Sequence, residues 1–223
     1  MASHLDLEEQ EQLDELKHFW KRWGDVITWL VIAVFGSYAA WMGWQSWSAK
    51  QSAQSATLFD TVERAAQSAD MALLERSVAD IEEKFASTSF AQQAALLAAR
   101  IYQEKARPAD ARKQLAWVID TSEDAGYQAL ARLRLSALLI EEKNFDAARQ
   151  QLNAKVPLPF EPLIADRLGD IDLLENKPTQ AISHYQAAWK GLDANAEYRR
   201  LIAVKLAALG ADPEETAVKE PAK

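Results

Sequence analysis

LGDIDLLENKPTQAISHYQAAW, residues 168–189, reads as two short helices joined by a polar turn. Apolar residues recur at three-four spacing on both sides of that turn. Ala181, Tyr185 and Ala188 sit on the second helix, and Leu168-Gly169 lies on the first. Small residues let paired helices cross closely, and the aromatic ring fills the gap beside them. The arrangement recurs upstream in LRLSALLIEEKNFDAARQQLNAKV (133–156) and LAARIYQEKARPADARKQLAWVI (97–119), with Ala148/Leu152 and Ala111/Leu115 in the same places. The three alanines are 37 and 33 residues apart.

Those intervals bracket the period of about 34 residues that defines tetratricopeptide repeats. One period back from Ala111 lie Ser77 and Ile81, so a degenerate earlier hairpin is expected. Further breaks fall at 87–89, 106–108, 121–126, 143–144, 153–162, 176–178 and 191–194, leaving helices of hairpin length. No period-two stretch competes, so the fold class is all-α. The last helix, 196–209, has no partner helix and ends at Gly210; it is expected to cap the final apolar face. Two positions depart from the repeat pattern. Asp172 stands where a tyrosine is usual, and Arg132 where an aromatic is common.

The 223 residues hold 49% apolar side chains but only 7 Gly and 7 Pro, too little punctuation for a sheet-rich fold. Every proline lies at or beyond Pro108. Net charge is −8, which argues against nucleic acid as a partner. The chain contains no cysteine, so disulfides, thiolate catalysis and Cys-based metal sites are excluded. His4, His18 and His184 lie far apart, with no ligand-spaced pair. Asp166, Asp170 and Asp172 are the one acidic group that suggests acid–base chemistry, but Asp172 falls on a different helical face from Asp166. Such acids on Ala-rich helices pair with neighbours such as Arg167 or stay solvated. No nucleophile, base and metal assemble, so no enzyme, cofactor or metal site is expected.

Near the N-terminus the composition changes. Six of the eight tryptophans fall between Trp20 and Trp47, and around them runs VITWLVIAVFGSYAAWMGW, 26–44, without a charge. At about 1.5 Å per residue this run covers roughly 29 Å, close to the hydrocarbon thickness of a bilayer. Trp20 and Trp23 at one end, and Trp41, Trp44 and Trp47 at the other, resemble the two interfacial aromatic belts. The run exceeds the h-region of a cleaved signal peptide, so it is expected to remain as an anchor. Lys17, Lys21 and Arg22 precede it closely and only Lys50 follows, which predicts a cytoplasmic N-terminus. Gly36, Ala40 and Gly43 form one small-residue stripe that suits close packing against another membrane helix. The expected order is an acidic cytoplasmic tail (1–22), a transmembrane signal-anchor (23–47), a short linker (48–52), a repeat domain (53–209) and a disordered tail (210–223).

Taken together, LKHFWKRWGD (16–25), ARLRLSALLIEEKNFDAARQQL (131–152) and RLGDIDLLENKPTQAISHYQAAWKGLDA (167–194) resemble the YfgM-like ancillary subunits of the SecYEG translocon. The resemblance covers nearly all of 5–209 and contains no chemical motif. It implies a bacterial inner-membrane protein with a periplasmic repeat domain. It also implies association with the translocon and with a membrane-anchored periplasmic chaperone of the PpiD type.

Repeat solenoids present a long surface lined by the first helix of each pair. Hairpin register places Leu96, Arg100 and Gln103 there, then Leu130, Leu133, Ala137 and Ile140, then Leu163, Asp166, Asp170 and Leu173. That mixture of apolar and charged groups suits an extended client chain or a partner helix. The lipid bilayer is the other partner. The alternative function is a membrane-anchored regulatory scaffold, in which Leu5, Leu13 and Leu16 of the acidic tail form an apolar stripe that binds a signalling protein.

Overall fold

Polar caps begin some of the helices and prolines begin others. Asp70, Thr88, Asp124 and Asn144 each accept a hydrogen bond from a main-chain N–H in the first turn of the helix that follows. Pro108, Pro162 and Pro178 occupy first-turn positions, where no amide hydrogen is needed. The computed structural model describes residues 7–213, with side chains from Leu13 onward. The expectations for 1–6, which include Leu5, and for 214–223 of the C-terminal tail lie outside the described residues.

The helices are α1 (Leu7–Gln67), α2 (Met71–Phe85), α3 (Ser89–Glu104), α4 (Pro108–Thr121), α5 (Ala125–Glu141), α6 (Phe145–Leu152), α7 (Glu161–Leu174), α8 (Pro178–Gly191) and α9 (Tyr198–Ala208). A single 3₁₀ turn, Leu158–Phe160, precedes α7. No strand occurs among the described residues. The chain divides into two compact units, Met1–Gln51 and Ser52–Lys223. Residues 48–52, expected as a linker, are helical within α1, because nothing in WSAKQSAQSA breaks the helix.

In the first unit α1 is long and apolar enough to cross a membrane, and none of its apolar window is buried against protein. Hydrophobic groups from Phe19 to Trp47 therefore face outward on every side. Apolar side chains on every side are what a helix solvated by lipid would present.

In the second unit four turns share one construction. Ala69, Ala106, Lys143 and Asn176 adopt left-handed φ of 55–59°, at intervals of 37, 37 and 33 residues. In each turn the following N–H bonds a carbonyl five residues back: Asp70 to Ala65, Arg107 to Tyr102, Asn144 to Leu139 and Lys177 to Asp172, at 2.8–3.0 Å. These are Schellman closures of the first helix in each hairpin. The expected degenerate hairpin is thus present as the end of α1 with α2. Its turn repeats at 37 residues, so the counterpart of Ala111 is Leu74 rather than Ser77, although Ser77 and Ile81 are also buried.

Close crossings follow the residue sizes. A Cβ added at Gly169 would lie 2.6 Å from the Tyr185 ring, so α7 and α8 approach only because that position is bare. The main core runs from Val62 and Ala65 of α1 to Ile164 and Ile171 of α7. A second cluster joins Ala181, Tyr185 and Ala188 of α8 to Ile202 and Leu206 of α9. α9 therefore covers α8 with one face. Its opposite face keeps Leu201 and Val204 exposed, where a terminal cap is usually polar.

Candidate functional site

On α1 the small-residue stripe is open. A Cβ built at Gly36 or Gly43 meets nothing within 4 Å, and Ala40 is exposed between them. Another helix can reach the main chain there, with no side chain of this protein to displace.

In the repeat unit the first helices α3, α5 and α7 follow one another side by side. Gln93 of α3 donates to the Tyr127 hydroxyl of α5 at 3.0 Å, and Gln103 donates to Glu141 at 3.4 Å. Arg134 of α5 donates to the Leu96 carbonyl of α3 at 3.0 Å. These cross-helix bonds set which predicted groove residues are accessible. Arg100, Gln103 and Leu173 are exposed, while Leu130, Ala137, Ile140, Leu163 and Asp170 are half-buried. Leu96, Leu133 and Asp166 are buried, so they belong to the interior rather than to a binding surface. Periodicity placed them outward because an Ala-rich helix packed on several sides buries more than one stripe.

Arg134 escaped the sequence reading. Its partner carbonyl, Leu96, lies one turn before Arg100 on α3, and burial together with the Arg100 guanidinium holds its pKa below the usual arginine value. A cation at the helix position next to Leu133 is the signal that would have marked it. Arg100 itself pairs with Glu104 at 3.2 Å.

The three aspartates of α7 are each engaged by side chains from neighbouring helices. Asp166 has no solvent exposure and accepts from the Tyr198 hydroxyl and from Lys205, both at 2.6 Å. Asp170 accepts from the Tyr185 hydroxyl at 2.8 Å and pairs with Arg167 and Lys205. Asp172 is buried between Arg149 and His184, each at 2.6 Å. Two of the three are therefore interior anchors, not solvated acids. Burial and the hydrogen bonds to these carboxylates push the Tyr185 and Tyr198 hydroxyls well above the ordinary phenol range. Among the described residues no group of three or more His, Cys, Asp and Glu could hold a metal ion.

The tetratricopeptide repeat-like domain model matches residues 17–211, including the apolar helix as well as the hairpins. A curated relative, the ancillary SecYEG translocon subunit of Neisseria gonorrhoeae, is 31% identical over 210 residues, 94% of this chain and 100% of the relative. The chain belongs to the family of ancillary SecYEG translocon subunits built on tetratricopeptide-like repeats. For this member of the family the aligned stretch covers 94% of the chain, so the similarity extends over both units and not the repeats alone. No solved structure matches it.

Proposed function

We propose that this protein is a single-pass inner-membrane subunit associated with the SecYEG translocon, with its N-terminus in the cytoplasm and its repeats in the periplasm. The observation that carries this reading is the 31% identity, over 94% of the chain, to a relative named as an ancillary SecYEG translocon subunit. The excess of Lys17, Lys21 and Arg22 over Lys50 supports the orientation. In this reading the repeats link emerging chains to a membrane-anchored periplasmic chaperone of the PpiD type, and α1 holds them where those chains appear. Tethering keeps the repeat domain at high effective concentration near its partners, so weak contacts suffice. A non-enzymatic role in protein interaction is supported by the helical-repeat scaffold, in which Asp166 and Asp172 are taken up by ion pairs within the fold.

Photocrosslinking in living cells from Arg100 and Leu173, both exposed, should capture a periplasmic chaperone domain or a nascent secretory chain. Crosslinks from the α1 stripe should capture translocon or chaperone anchor helices. Crosslinks only to cytoplasmic proteins from either position would overturn the proposal.

A further inference from the structure

We propose that the cleft between residues 154–158 and α7 seats an extended, apolar stretch of unfolded polypeptide. The inference rests on the reading above only for the source of that polypeptide, a chain in transit. The cleft holds about 490 Å³, within the range of roughly 300–1,000 Å³ found for ligand pockets. Ile164 and Leu168 of α7 form one wall, and Val156 and Leu158 the other.

Three features specify the occupant. First, Leu158 is 77% exposed and belongs to none of the core clusters. It lies between Pro157 and Pro159, whose rings fix the main chain, so an apolar side chain is held in water at the mouth of the cleft. Covering it removes apolar surface from water without ordering a flexible loop. Second, the N–H and C=O groups of Lys155 and Val156 make no main-chain hydrogen bonds among the described residues. Val156 precedes a proline, which favours extended geometry, and Pro157 continues it with ψ of 145°. A free extended edge pairs with another extended chain, whereas a helix has no main-chain groups to offer it. Third, Lys155 and Glu161 line the same cleft, and neither is ion-paired among the described residues. They suit an apolar segment flanked by charges of opposite sign.

The test uses the full chain in lipid nanodiscs and a fluorescent decapeptide of alternating valine and threonine, with glutamate at one end and lysine at the other. The wild-type protein should bind it. Leu158→Asp and main-chain N-methylation of the peptide should each weaken binding by about tenfold or more. Helicity and thermal unfolding should not change, since Leu158 supports no core. Lys155→Glu combined with Glu161→Lys should turn the preference toward a peptide with its end charges exchanged. Equal binding by wild type and Leu158→Asp overturns the inference, as does unchanged binding of the N-methylated peptide. A concentration-dependent dimer that Leu158→Asp abolishes also overturns it, because the face then belongs to a second copy. Translocon crosslinks of the wild-type chain are read in parallel. If they persist while the peptide results fail, the cleft assignment falls and the proposed function stands; their absence refutes the function itself.

Discussion

Glu82 of α2 keeps a buried carboxyl oxygen with no hydrogen-bond partner, and burial pushes its pKa up to about 7, with Lys113 opposing. The ordinary value is 4.5, so between these values the folded chain holds the proton more tightly than the unfolded chain. Stability from this site is therefore greatest at low pH and declines as pH rises through that window. Glu82→Gln should stabilise the repeats at about pH 8 by roughly 1–2 kcal/mol, after allowance for the partial exposure of the group. At about pH 4.5 the two proteins should differ little. Urea melts of 52–213 at both pH values check this, and a Gln variant less stable at the higher pH would contradict it. A second residue-scale strain lies at Ala106, whose left-handed φ of 55° suits glycine. Ala106→Gly should raise stability by about 0.5–1 kcal/mol in the same melts. Neither feature was legible in the sequence. The break at 106–108 was legible, but an alanine carries no mark of a left-handed φ, and the 68–70 turn of the first hairpin has no glycine or proline to announce it. Asn176 before Lys177-Pro178, by contrast, announced its turn plainly.

Between elements, the α7–α9 junction is held by charge as much as by apolar contact. Lys205 reaches from α9 to Asp166, which has no exposure, and to Asp170. Removing one partner leaves a buried carboxylate uncompensated, which costs far more than the pair contributes when intact. Lys205→Met should destabilise the unit by about 3–5 kcal/mol, and adding Asp166→Asn should recover a large part of that loss. A double-mutant cycle in urea measures both; equal stability of Lys205→Met and wild type would show that α9 docks by its Ile202 and Leu206 face alone. The hairpins were legible because Ala-x-x-x-large apolar recurs at nearly fixed intervals. Which outward positions are free was not. α3 buries Ala91, Ala94, Ala95, Ala98 and Ala99, so no single stripe separates core from surface. Asp166 was misplaced for a related reason: its partners Tyr198 and Lys205 come from an element 32 and 39 residues away. A local pattern cannot supply partners at that separation.

At the scale of the whole molecule, one unit offers an open helix face and the other a row of repeat helices, and each is testable without disturbing the other. Gly36, Ala40 and Gly43 pack against nothing in this chain, so their replacement by leucine fills no internal gap. In lipid, association depends on close packing, and three added isobutyl groups hold a neighbouring helix away. Crosslinks from α1 to translocon or chaperone helices should therefore fall, while helicity of the repeats stays unchanged. On the repeat unit the choice of position matters. Charge placed at Leu133 would enter the core and confuse unfolding with lost binding, since only 8% of that residue is exposed. Leu173 is 42% exposed and Arg100 is exposed, whereas Leu163 packs on the main core, so Leu173→Glu with Arg100→Glu alters charge on the proposed partner-facing side at modest cost to folding. These changes should reduce crosslinks to chaperone domains or emerging chains and leave those from α1 intact. If both sets of crosslinks survive both sets of substitutions, contact at two levels is wrong. Association would then be sought through the acidic N-terminal tail, and exchanging residues 1–16 for an unrelated sequence would become the deciding experiment.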